Sequence, residues 1–198
     1  NTERCSGDYS GGWRRIRDYS GGMTTDWGAH HFDIGQWGMG MDGSGPVEII
    51  PPDDAAKKPL TFVYQNGVKM FRAGEAEGHG AVNGVLFTGT EGRVEVNRGY
   101  MKTWPAELMN ERIGPGEIHL YESPGHKQDW INCIRSRRRP ICDVEIGAST
   151  ITVCHLANIA CWLGRPIKWD PERGEVVGDL EASRWIDRPK RAPWRTYV

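Results

Sequence analysis

Between residues 47 and 104 the chain alternates short β-branched and aromatic runs with tight turns, and on both sides of that stretch it reads as helix. This order constrains the fold more than any other feature. Val47-Glu48-Ile49-Ile50 predicts a strand stopped by Pro51-Pro52. Residues 60–64 and 68–71 predict a hairpin across Gln65-Asn66-Gly67, since Asn-Gly tolerates the positive φ of a type I′ turn. Residues 85–88 and 94–96 predict a second hairpin around Glu91-Gly92, and residues 100–104 extend that sheet. Helical periodicity runs from Met23 to about Trp37, with Thr24 or Thr25 at its cap and Gly38 and Gly40 beyond. It returns over 126–135, with Trp130, Cys133 and Ile134 on one side, and over 147–163, which meets Gly164 and Pro166. Ile167-Lys168-Trp169 predicts one more short strand, and residues 188–194 an extended arm anchored by its tryptophans. Hairpins favour antiparallel pairing, so the expected fold is α+β: a large open, mostly antiparallel sheet with helices packed on one face.

Charge and composition remove several function classes. With 25 Lys+Arg against 26 Asp+Glu, the net charge of −1 argues against a protein that grips nucleic acid through cationic contacts to phosphates. A length of 198 residues suits one domain. No apolar run comes near the roughly 20 residues a membrane helix needs, so no membrane association is expected. The five cysteines include no C-x-x-C pair; Cys154 and Cys161, seven apart on an apolar helix, are expected to be buried. Unpaired thiols fit a reducing compartment but do not separate cytoplasm from periplasm. The pentapeptide Asp-Tyr-Ser-Gly-Gly occurs at 8–12 and 18–22, which reads as two similar turns. The chain opens on Asn1 with no signal pattern, as expected of a sequence entered partway.

Chemistry concentrates in residues 21–33, Gly-Gly-Met-Thr-Thr-Asp-Trp-Gly-Ala-His-His-Phe-Asp. On a helix Asp26 and His30 are i and i+4, and His30 and Asp33 are i and i+3, so the three share one face. A carboxylate one turn before an imidazole fixes its tautomer and raises its basicity, as a general base requires. The plainer reading has Asp26 capping the helix and His30 satisfied in the core. Gly28, between them, would let a partner approach the backbone. A metal site is not expected, because His30 and His31 project about 100° apart on a helix. Gly38-Met39-Gly40-Met41-Asp42-Gly43 matches GxGxxG literally but follows a helix and leads into a strand, the reverse of the dinucleotide fingerprint. No cofactor-binding residue is therefore assigned. Arg135-Ser136-Arg137-Arg138-Arg139 falls at a helix end, where cations complement the dipole. Trp130 and Trp162 have core spacing, whereas Trp13, Trp27 and Trp37 flank the site and are candidates for stacking on sugar rings.

The Gly-Gly-x-x-x-Asp-x-Gly-x-His-x-x-Asp pattern resembles the Gfo/Idh/MocA oxidoreductases, the glucose–fructose oxidoreductase and inositol dehydrogenase family. So do Gly45-Pro46-Val47-Glu48, Phe87-Thr88-Gly89-Thr90-Glu91-Gly92 and Arg139-Pro140-Ile141-Cys142-Asp143-Val144-Glu145. The resemblance covers essentially the whole chain. It implies the family's C-terminal α+β domain over residues 1–198, without the N-terminal Rossmann domain. Within it, 1–22 would be a substrate segment, 23–40 the catalytic helix, 46–104 the sheet and 126–198 helices and arm. Asp26 and His30 match the family's catalytic pair: His30 would take the proton from a substrate hydroxyl, and Asp26 would orient it. Trp13 and Arg14 are similar to an upstream substrate-contacting pair, and His31 and Asp33 would be substrate neighbours. NAD or NADP would be bound by the Rossmann domain, and the family's Glu-Lys-Pro lysine has no counterpart here. The implied function is the substrate-binding and catalytic-base domain of a sugar or polyol oxidoreductase. Two alternatives stand beside it: an NAD-dependent glycoside hydrolase working by transient oxidation, and a non-catalytic module that forms a homo-oligomer through the open sheet face.

Overall fold

The structure is a computed structural model and describes residues 12–72, 84–187, 190 and 192–193, apart from the side chain of Arg15. The first Asp-Tyr-Ser-Gly-Gly copy, except Gly12, lies outside the described residues, as do Cys5 and four of the seven residues of the expected C-terminal arm. The chain divides into two compact units, residues 1–79 with 149–198, and residues 80–148.

The first unit holds the core. Helix α1 (Trp27–Gly38) and the body of helix α3 (Val144–Leu163, from Ser149 onward in this unit) accompany a five-stranded antiparallel sheet. Its strands are β1 (Glu48–Ile50), β2 (Leu60–Val63), β3 (Lys69–Arg72), β7 (Ile167–Asp170) and β8 (Glu175–Val176), in the order β3-β2-β1-β7-β8. Register places Ile49 opposite Phe62 on one side and opposite Ile167 on the other, so three buried side chains form a row across the sheet. The strands bury alternate residues, as expected where one face meets a core. Phe32 of α1 sets its ring edge-on to Phe62 at 5.1 Å. Val153, Cys154, Leu156, Ala157, Ile159 and Ala160 of α3 complete the cluster. By length and composition α3 is apolar enough to cross a membrane, which corrects the expectation that no such stretch exists. Here it is the core helix, with eight of its residues buried. Burial pushes the Cys154 thiol up to about 12, so it behaves as a small hydrophobe. Cys161 is exposed, contrary to expectation, because continuous burial along α3 stops at Ala160.

The β2–β3 hairpin pairs as expected, but its turn is not type I′. Only Gly67 has positive φ, and the Gly67 N–H donates to the Tyr64 carbonyl at 2.9 Å. Gln65-Asn66-Gly67 is thus a three-residue loop of the bulged kind, with Asn66 Oδ1 accepting from the Val68 N–H at 3.1 Å.

The second unit contains a three-stranded antiparallel sheet, β4 (Val85–Thr88), β5 (Arg93–Asn97) and β6 (Tyr100–Trp104), and helix α2 (His126–Ser136). The α+β class stands, with the antiparallel strands shared between two sheets. Among its described hydrophobic residues only Cys133 is buried. Buried carboxylates organise it instead. Asp129 accepts the Tyr121 hydroxyl at 2.7 Å and the Ile141 N–H at 3.1 Å, and Glu95 accepts the Tyr100 hydroxyl at 2.7 Å. The Ile141 N–H, then the Tyr121 hydroxyl, hold the Asp129 carboxyl below its ordinary range. Asp143 receives the N–H groups of Glu145 and Ile146 at the start of α3 and is lowered for the same reason. Trp130 is 62% exposed rather than core, because α2 buries its Asp129–Cys133 line. Arg139, at the expected basic helix end, pairs with Asp143 and Glu145.

Candidate active site

The site is built on the entry to α1. The expected helix from Met23 starts later: Gly22–Thr24 is a single 3₁₀ turn, and α1 begins at Trp27 with Asp26 at the cap position. The cause is the double glycine. Gly22 has φ +69°, and a side chain on Gly21 would collide with that of Thr25. Neither threonine caps α1. Thr25 donates its hydroxyl to the Gly22 carbonyl at 3.1 Å, and Thr24 accepts from Arg72 Nη1 at 3.1 Å. Asn158 of α3 donates to the Gly21 carbonyl at 2.8 Å and ties the loop to the core helix.

This entry aims the Asp26 carboxylate at Arg14, whose Nε lies 2.9 Å from Oδ2. Both side chains are about a quarter exposed, so the pair is reachable from solvent. The Arg14 guanidinium also lies 5.1 Å from the Trp13 ring, and Trp13 is itself exposed. Sequence-predicted Trp13, Arg14 and Asp26 are thereby brought together. His30 is exposed on α1 and meets the Trp27 ring edge-on at 5.8 Å. No hydrogen bond joins Asp26 to His30 among the described residues; Arg14 holds the carboxylate instead. His31 stacks on Trp27 at 6.4 Å, with Nδ1 3.0 Å from the Trp27 carbonyl. A carbonyl only accepts, so that nitrogen carries the proton and Nε2 is the acceptor of the neutral ring.

Asp33 points elsewhere: it accepts the Thr150 hydroxyl at 2.8 Å, fastening α1 to α3. One turn on, buried Gln36 donates to Ser149 at 3.1 Å and accepts the Tyr64 hydroxyl at 2.8 Å, while Ser149 donates to the Ser44 carbonyl. Gly28 leaves room for the ring of Phe32, 3.3 Å from where a Cβ would stand, rather than for an outside partner. Thr150, Asn158 and Arg72 are the supporting residues that sequence reasoning missed. Asn158 carried a signal, an amide inside an apolar helical run.

The arrangement offers a carboxylate–guanidinium pair that can bind hydroxyl groups, an exposed imidazole that can exchange a proton, and indole faces nearby. A dinucleotide does not fit residues 38–43: Gly38 ends α1, and the chain runs through Gly40, at φ +69°, toward β1. These glycines close a helix and open none, so they offer no helix N-terminus to a pyrophosphate.

No curated protein and no solved structure matches the chain. A model of the oxidoreductase family's C-terminal alpha/beta domain matches residues 1–196. The chain therefore belongs to the Gfo/Idh/MocA oxidoreductase family, as its C-terminal domain.

Proposed function

We propose that this chain is the substrate-binding and proton-accepting domain of an NAD(P)-dependent oxidoreductase that acts on the CH–OH group of a sugar or polyol. The observation that carries the reading is the Arg14–Asp26 pair at the head of α1, one helical turn before an exposed His30. A carboxylate and a guanidinium together supply acceptors and donors for vicinal hydroxyls, the recognition a polyol needs. His30 would take the proton from the hydroxyl being oxidised, with Trp13 and Trp27 alongside as apolar faces for the ring. A nicotinamide carried by a dinucleotide domain would supply the redox chemistry. Asp33 serves this reading as a positioning residue, since its carboxylate is used by Thr150. Self-association belongs to the same proposal. The unit of residues 80–148 leaves Met101, Trp104, Ile118, Leu120 and Trp130 exposed, and a second copy would cover apolar side chains among them.

The test joins this chain to its dinucleotide domain and follows nicotinamide reduction across a panel of aldoses and polyols. Substrate-dependent reduction is expected, with kcat falling about 10²–10⁴-fold in His30→Ala. Turnover unchanged by that substitution would remove His30 as the base.

A further inference from the structure

Helix α3 has a second working face. Thr150, Cys154 and Asn158 lie on the side that supports α1 and the double-glycine loop. Thr152, His155, Ile159 and Trp162 lie about 120° round the helix, at 100° per residue. They line a cavity of about 770 Å³, within the size range of small-ligand sites. None of Trp13, Arg14, Asp26 or His30 lines it.

Three indoles shape this cavity. Trp169 of β7 is buried in its wall, while Trp162 and Trp185 are 38% and 43% exposed. Their rings stand 5.8 Å apart at 57°, with the Arg17 guanidinium 3.9 Å from one and 4.0 Å from the other. Arg17 thus wedges the two aromatic faces into a fixed angle, a geometry built before any ligand arrives. The charges around them are mixed: Arg17 and Arg184 against Asp18, Glu181 and Asp187. A strongly anionic or cationic ligand would meet like charges, and a purely apolar one would strip water from groups it cannot pair. A neutral ring with an apolar face and hydroxyls around its edge meets none of these penalties.

We propose that the cavity is a saccharide-binding site for a neutral pyranose unit, distinct from the site on α1. The proposal stands independently of the reaction assigned to His30.

The test uses the full chain labelled with 5-fluorotryptophan and followed by ¹⁹F NMR. Trp162 and Trp185 are assigned through Trp162→Phe and Trp185→Phe. The probes are methyl glucoside, methyl galactoside, N-acetylglucosamine, cellobiose and maltose, up to about 50 mM, where even a Kd near 10 mM gives mostly occupied sites. At least one probe is expected to shift both resonances saturably, to do so equally in His30→Ala, and to bind at least tenfold more weakly in Trp185→Ala. His155→Ala, at an exposed position on α3, is expected to weaken binding several-fold and serves if Trp185→Ala fails to fold. Silence of both resonances with all five probes overturns the proposal. So does a response to adenosine without one to any sugar, or a sugar response that vanishes in His30→Ala.

Discussion

The two units of this chain solve the burial problem in opposite ways. Residues 1–79 and 149–198 hide Ile49, Phe62, Leu156 and Ile159 and keep most of their ion pairs at the surface. Residues 80–148 bury Asp129 and Glu95 and leave Ile118, Leu120 and Val144 in water. In the first unit apolar transfer holds the elements, and hydrogen bonds between helices set their exact register. In the second, ladder hydrogen bonds and two buried carboxylates do the holding, and apolar surface is left over. A rigid core can aim side chains at a substrate, whereas an apolar exterior is suited to covering by another surface.

The sharpest way to break this contrast is to cut each unit at its own support. Phe62→Ala should cost about 3–5 kcal/mol, since it opens a hole in the row across the five-stranded sheet. Denaturant unfolding followed by far-UV circular dichroism checks this. A loss below about 1 kcal/mol would mean that the row is not the core's keystone. Asn158→Ala should cost about 1–3 kcal/mol by leaving the Gly21 carbonyl unpaired, and should also weaken binding at the Asp26 site.

Acid sharpens the comparison next. Asp129 titrates below its ordinary value in the folded protein, so its bonds stabilise the second unit above about pH 4 and are lost as pH falls through the folded value. Hydrogen exchange should therefore show the Ile141 amide losing protection on acidification while the Ile159 amide keeps it. Asp129→Asn should remove that pH dependence. In the first unit Arg165 holds Asp179 down to about 2, so its contribution fades only between about pH 4 and 2. The smallest effect is expected from Ile118→Ser, within about 0.5 kcal/mol, because the side chain is 84% exposed. Light scattering on the same variant tests self-association. Ile118→Ser dissociating an oligomer would support the proposed covering, and a wild-type chain that stays monomeric would remove it.

What could be read in advance was local. The described strands other than β8, the hairpin pairings, the end of α3 at Gly164 and the Gly-Gly-x-x-x-Asp-x-Gly-x-His pattern all rest on residues a few positions apart. The support of the site was not local. Asn158 reaches Gly21 across 137 positions and Thr150 reaches Asp33 across 117, separations that no periodicity encodes. Trp130 misled because spacing records which residues share a face, not which face packs; α2 packs through a carboxylate. Asp26 misled by one step. Its spacing to His30 suggested a direct partner, whereas Arg14, twelve residues earlier and off the helix, took the carboxylate.

On the proposed reading of the site, the position of Asp26 sets selection for stability against selection for activity. It occupies the cap position of α1, yet its side chain makes no cap hydrogen bond, forgoing about 1 kcal/mol that an N-capping carboxylate commonly contributes. Loss of Arg14 would release Asp26 to turn inward and cap the helix. Drift at position 14 would then yield proteins that resist heat better while losing the proposed grip on hydroxyls, and a screen for thermostability alone would collect them.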